Sequence, residues 1–125
     1  MNESGPLIVV VDDNPDILQL INTRLSKRGY DVLTATDGRQ ALDLIRQRRP
    51  DAVVLDWFMP EMQGPEVCSA LKEDTDTGDI PIILLTAKAS ESDVSTGFER
   101  GADEYLTKPF EIEELDQTLR RLLSS

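Results

Sequence analysis

The chain has 125 residues and a formal net charge of −11, from 24 acidic against 13 basic side chains, with no histidine and one cysteine. That length fits one domain with one core; the charge repels nucleic-acid phosphates, and the composition excludes His triads, His-zinc sites, a histidyl phosphate on this chain and an internal disulfide. No apolar stretch approaches the ~20 residues of a membrane span, and the opening MNESGP lacks the basic-then-apolar layout of a signal peptide, so a cytoplasmic single domain over residues 1–125 with no membrane partner is expected.

Leu7–Val11, LIVVV, is an unbroken apolar run and predicts a strand buried on both faces. It ends in Asp12-Asp13. Asn14 and Pro15 then supply the cap and first residue of a helix, along which Ile17, Leu18, Ile21 and Leu25 recur at helical spacing. Gly29 stops that helix after Lys27 and Arg28. Tyr30–Ala35 alternates and predicts a second strand. Asp37-Gly38 opens a second helix carrying Ala41, Leu42 and Ile45; Arg46, Arg48 and Arg49 complement its dipole and Pro50 closes it.

Ala52–Leu55 is a short apolar run that leads directly into Asp56, followed by Trp57, Phe58, Met59 and Pro60. It predicts a central strand, with Trp57 and Met59 packing beside it. After a loop at Glu61–Gly64, Pro65 starts a third helix with Val67, Cys68 and Leu71 on one face, Cys68 as core filler. Glu73–Asp79 is a loop by composition. Ile80–Leu85 predicts a fourth strand ahead of Thr86-Ala87-Lys88. Ser90 or Ser92 caps a short fourth helix whose only strong apolar residues are Val94 and Phe98, so it is expected to be the least firmly packed. Gly101 ends it. Asp103–Leu106 predicts the fifth strand, before Thr107-Lys108-Pro109-Phe110, and Ile112, Leu115, Leu119 and Leu122 give a fifth helix its apolar stripe.

Strands alternating with helices require parallel pairing through right-handed crossovers, hence a doubly wound α/β sandwich. Every strand then points its carboxyl end to one rim, where such sheets bind ligands. That rim collects Asp12, Asp13, Asp56, Thr86 and Lys108. Asp56 is expected to be exposed there and chemically active, although an Asp after an apolar run is also an ordinary turn former. Three carboxylates repel one another, each pair at 4 Å costing on the order of 4 kcal/mol at an effective dielectric of 20. Raised pKa values or a divalent cation offset this; Mg²⁺ suits carboxylate and water ligands. An open Mg²⁺ site beside a nucleophilic Asp suits phosphoryl transfer, with Lys108 and the Thr86 hydroxyl on the phosphoryl oxygens.

VVVDD (Val9–Asp13), LDWFMP (Leu55–Pro60), LTA (Leu85–Ala87) and ADEYLTKPF (Ala102–Phe110), in this order and spacing, resemble the receiver domain of two-component response regulators, similar to the chemotaxis regulator. The match runs from about Leu7 to Leu123. The resemblance implies a flavodoxin-like five-stranded parallel sheet of order 2-1-3-4-5 with five helices. It implies a phosphoacceptor switch rather than an enzyme, catalysing at most its own phosphorylation and dephosphorylation. Asp56 resembles the phosphoacceptor that becomes 4-aspartylphosphate. Asp12 and Asp13 resemble the acidic pair that holds Mg²⁺ (or Mn²⁺ in its place), with Asp13 the direct ligand of the two and the Phe58 main-chain carbonyl a further one. Thr86 resembles the switch hydroxyl, Tyr105 the switch aromatic and Lys108 the phosphoryl-binding lysine, and the Lys108–Pro109 bond is expected to be cis. The implied partners are a sensor histidine kinase or phosphotransfer protein, which donates to Asp56, and a downstream protein or fused output domain. That second partner reads the face of the fourth helix, fifth strand and fifth helix. The chain itself is expected to be a monomer or a phosphorylation-dependent dimer.

Three departures stand out. Phe58 is bulky where the family varies, Gln63 stands where Asp is frequent, and Glu113 stands about where receivers that dimerise through the last helix carry a basic residue. The competing readings each meet an obstacle. A flavin carrier needs a phosphate-cradling first loop, and DDNPD repels one. A haloacid-dehalogenase-type phosphatase needs a second acid where Phe58 stands. A degenerate receiver serving only as a docking module is the remaining alternative, and every site residue is retained against it.

Overall fold

A computed structural model describes residues 5–87, 95–96 and 98–124. Five parallel strands, β1 (Leu7–Val11), β2 (Asp31–Ala35), β3 (Ala52–Asp56), β4 (Ile82–Thr86) and β5 (Glu104–Thr107), form one sheet in the order β2-β1-β3-β4-β5. The helices with full bounds are α1 (Pro15–Lys27), α2 (Gly38–Arg48), α3 (Gly64–Glu73) and α4 (Ile112–Leu123). The expected fourth helix is seen only as helical residues at 95–96 and 98–99; its caps Ser90 and Ser92 and its Val94 lie outside the described residues. Phe98, the other apolar residue of that segment, is 46% exposed and joins neither apolar cluster. The Arg100 and Gly101 amides close the last turn onto the Thr96 and Phe98 carbonyls, and Gly101 takes φ +113°.

The two cores follow from the period-two alternation of strands. Val9, Val11, Val53, Leu55, Ile82 and Leu84 face one side and pack under α2 and α3, through Ala41, Ile45, Val67, Cys68 and Leu71. Ile8, Val10, Ala52, Val54, Ile83 and Leu85 face the other and pack under α1 and α4, through Leu18, Ile21, Leu25, Leu115 and Leu119. Cys68 is fully buried, which pushes its thiol up to about 12 and leaves it an inert filler.

Strand starts differ from the sequence reading by a residue or two, for local reasons. The Tyr30 amide turns back to the Leu25 carbonyl, so β2 begins at Asp31. Pro81 has no N–H and the Ile80 amide bonds the Thr77 carbonyl, so β4 begins at Ile82. Asp103 is not in β5, although its amide donates to the Ile82 carbonyl and its carboxylate accepts the Ile82 amide at 2.8 Å. At the helix starts, Asn14 Oδ1 accepts from the Asp16 amide, and Asp37 Oδ1 from that of Gln40. Arg49 ends α2 in a left-handed conformation, φ 46°.

A second polar feature ties α4 to α1. Asp116 is 3% exposed. It accepts from the Tyr30 hydroxyl at 2.7 Å, Arg28 at 2.9 Å and Arg120 Nε at 3.2 Å, and Arg28 also reaches Glu113 at 2.7 Å. Burial opposes the charge on Asp116, but the Tyr30, Arg120 and Arg28 hydrogen bonds hold its carboxyl below the usual range.

Candidate functional site

Strand parity and register bring the site together. Val11 pairs with Leu55, and Val54 with Val10, so Asp12 and Asp56 emerge side by side on the α1–α4 face. Asp56 pairs with Leu85 and Leu85 with Leu106, which puts Lys108, two residues on, over the same face. The Lys108 amide is fixed by donating to the Thr86 carbonyl at 2.7 Å, and the Lys108–Pro109 bond is cis.

Lys108 Nζ donates to Asp12 Oδ2 and to Asp56 Oδ1, both at 3.0 Å. Asp12 also accepts the Asn14 amide on its other oxygen at 2.9 Å. Asp12, Asp13 and Asp56 each offer an oxygen within 4.8 Å of the others; Asp13 is exposed and the other two buried. Among the described residues one ammonium, bonded to two of these three carboxylates, meets the cluster, which suits a further divalent cation with oxygen ligands.

Asp56 is not exposed as the sequence reading expected: it is 6% accessible. The Lys108 amine lies across it to Asp12, and α3 closes on its backbone at Gly64, where a Cβ would stand 2.6 Å from the Asp56 carbonyl oxygen. Burial pushes its carboxyl up to about 6; the Asp12 and Asp13 charges add to this while Lys108 opposes it.

Thr86 ends β4 and is buried; by alternation it lines up with Ile82 and Leu84, on the α2–α3 face. Tyr105 is half-buried against that same cluster and meets the Trp57 ring edge-on at 6.1 Å. Both stand at the carboxyl rim that carries Asp12, Asp56 and Lys108. Trp57 and Met59 are buried at 6%, whereas Phe58 between them is 42% exposed. Ala87 is exposed.

The sequence reading missed how tightly the loop after Asp56 is held. The Gly64 amide donates to the Trp57 carbonyl at 2.8 Å and closes the loop at its neck. The Met62 amide donates to the Pro60 carbonyl at 2.7 Å, and Glu61 between them takes φ 69°, a left-handed conformation rare for Glu. Gln63 begins α3 with its amide on Glu66 Oε1. The -Gln-Gly-Pro- step was the available signal; the strain at Glu61 had none.

A doubly wound parallel sheet of this strand order, with an acidic cluster and a lysine at its carboxyl rim, is a flavodoxin-like α/β domain with a polar site at the strand ends. The family model for the response regulator receiver domain matches residues 8–120, and the chain belongs to that family. It is 50% identical over 116 residues to the response regulator MprA of Mycolicibacterium vanbaalenii, covering 93% of this chain and 49% of that protein. It is 43% identical over 118 residues to RpaA of Synechocystis, named a DNA-binding dual master transcriptional regulator, covering 94% and 49%. The chain thus spans about half the length of the curated relatives it matches. Among solved structures it resembles the receiver domain of a Pseudomonas aeruginosa sensor histidine kinase with a magnesium ion coordinated in its active-site cleft (TM-score 0.91, 33% identity, 98% of this chain and 100% of that one). The low-pH structure of Vibrio cholerae chemotaxis protein CheY4 is as near (TM-score 0.91, 36% identity, 96% and 100%). Among the described residues no helix is long and apolar enough to cross a membrane.

Proposed function

We propose that Asp56 accepts a phosphoryl group from a partner's phosphohistidine and that the resulting acyl phosphate switches the domain. The observation that carries this reading is the cluster itself: three carboxylates within 4.8 Å of one another and one lysine 3.0 Å from two of them. Mg²⁺ would be held by Asp12, Asp13, Asp56 and the Phe58 main-chain carbonyl, and would neutralise charge on the transferring phosphoryl group. An Asp56 carboxylate oxygen attacks phosphorus, the donor's N–P bond breaks, and its electron pair leaves with the imidazole. Lys108 stays beside Asp56 to stabilise the phosphoryl oxygens, and the Thr86 hydroxyl is the further donor. Water later attacks phosphorus, the P–O bond to Asp56 breaks, and inorganic phosphate leaves with the Asp56 carboxylate regenerated.

The donor histidine lies outside residues 1–125, which contain none. A groove of about 610 Å³ runs from Lys108 between α1 and the Pro109–Ile112 stretch, lined by Ile17, Leu20, Phe110 and Ile112. Leu20 is 53% exposed there. This apolar surface beside the acceptor suits the helix that carries the donor histidine. The read-out face is the segment ending at Gly101 together with β5 and α4. With a net charge of −11, nucleic-acid contact falls to an output segment or partner, as the names of the relatives suggest. Residues 1–125 act as one receiver domain, in the cytoplasm.

The test uses the single tryptophan, Trp57, next to Asp56. Millimolar Mg²⁺ should change its fluorescence, and beryllofluoride or a small phosphodonor should change it further, with a mass gain of one phosphoryl group from the donor. An Asp56→Asn chain that takes up phosphoryl as wild type does refutes the assignment. A wild-type chain that takes up none is a docking module.

A further inference from the structure

We propose that Gly38, at the start of α2, is a positioning residue for the metal-binding loop: because it has no side chain, Met62 seats directly on α2, and that seat fixes the loop that presents the Phe58 carbonyl. The inference rests on the Mg²⁺ site proposed above. Gly38 lies outside the acidic cluster and on the opposite side of the sheet from Asp12 and Asp56, and the sequence marked it only as a helix opener.

The geometry is a matter of close approach. A Cβ on Gly38 would stand 2.8 Å from the Met62 carbonyl oxygen, 2.9 Å from Met62 Cβ and 3.0 Å from a Val67 methyl. Two of these are closer than carbon atoms tolerate, and the nearest is backbone, which no rotamer change can move. Gly38 is itself firmly placed. Asp37 Oδ1 accepts the Gln40 amide at 2.8 Å, Gln40 Oε1 accepts the Thr36 amide at 2.8 Å, and Ala41 and Ile45 below are fully buried. The seat does not yield; the loop does.

A push on Met62 has few places to go. The loop is closed at its neck by the Gly64–Trp57 hydrogen bond. Gly64 leaves no slack there, since its own Cβ would stand 2.6 Å from the Asp56 carbonyl oxygen and 3.1 Å from Trp57 Cα. The side chains of Trp57 and Met59, on either side of Phe58, are both buried in the α2–α3 core. Glu61 is already in a left-handed conformation and the Met62 amide is tied to the Pro60 carbonyl. Displacement at Met62 therefore passes along Pro60 and Met59 to the Phe58 peptide.

The experiment is a Mg²⁺ titration of the metal-free, folded chain followed by Trp57 fluorescence, with the Phe58 and Met62 amides followed by NMR before metal is added. Gly38→Ala should bind Mg²⁺ roughly tenfold more weakly, as loss of a ligand's support does elsewhere. Both amides should already be shifted in the metal-free state. Affinity is read on folded protein, so a change in stability alone leaves it unmoved. Gly38→Ala within twofold of wild type overturns the inference while the Mg²⁺ site stands. A wild-type chain with no Mg²⁺ response overturns the site and the inference with it. Should Gly38→Ala fail to fold, Met62→Gly and Met62→Ala probe the same contact from the other side. Only Met62→Gly removes the Cβ that rests on Gly38, so it alone should weaken binding, and equal affinities of the two overturn the inference.

Discussion

Replacing Asp56 by Asn should stabilise the metal-free protein at neutral pH. The folded chain holds the Asp56 proton up to a pKa of about 6, against an ordinary 3.8, chiefly because the carboxyl is buried. A group whose pKa is raised by folding gives its full stability below the unfolded value and loses it as pH rises through the folded one. Ionised Asp56 therefore costs the metal-free fold about 2–3 kcal/mol at pH 7, at 1.36 kcal/mol per pKa unit. Asn has the same shape without the charge. Urea unfolding in EDTA at pH 7 should show Asp56→Asn more stable by about that amount, worth on the order of 10 °C in Tm. The gap should shrink from pH 6 downward and vanish near pH 4. Mg²⁺ should narrow it too, by binding the ionised wild-type site more tightly than the variant. A variant that is equal to or less stable than wild type at pH 7 without metal, or a gap that does not change with pH, refutes the reasoning.

Phe58→Asn should shorten the life of the proposed acyl phosphate, because it replaces a 42% exposed aromatic ring two residues after Asp56 by a polar side chain that can hold water; equal lifetimes by phosphoryl-loss kinetics refute this. Leu119→Ala empties a fully buried site between α4 and the sheet and should cost about 2–5 kcal/mol in urea unfolding, while the Mg²⁺ response of Trp57 persists; loss of that response would mean the site depends on α4 packing. Asp116→Asn should destabilise the chain at pH 7. The carboxyl is held below its usual range by its partners, so its contribution is present above the unfolded pKa and is lost as pH falls through the folded one. The wild-type advantage should therefore fade in strong acid, and an advantage that persists there contradicts the assignment.

Most of the architecture was legible because its signals are local. Asn14-Pro15 and Asp37-Gly38 start helices through their own side chains and dihedrals, and unbroken runs such as LIVVV mark strands covered on both sides. The acidic cluster was legible once strand ends were assigned, since parallel strands share a rim. What could not be read depends on contacts between distant segments. Nothing near Asp56 in the chain says that Lys108 will lie across it and bury it. Nothing at Asp103 says that its carboxylate will stand in for a ladder partner of Ile82. Gly38 looks like any helix-opening glycine until Met62 is placed against it. The receiver roles of Phe58, Thr86 and Tyr105 came from resemblance, because a main-chain ligand and a switch pair leave no mark in composition or periodicity.

The alternation that sorts the two cores also divides the domain's work. Asp56 and Trp57 are consecutive, yet one side chain belongs to the layer under α1 and α4 and the other to the layer under α2 and α3, where Tyr105 rests on the indole edge. The two layers are separated by the thickness of a single polypeptide, and one peptide bond joins the acceptor candidate to the indole. A shift of that peptide plane would be felt in both layers at once.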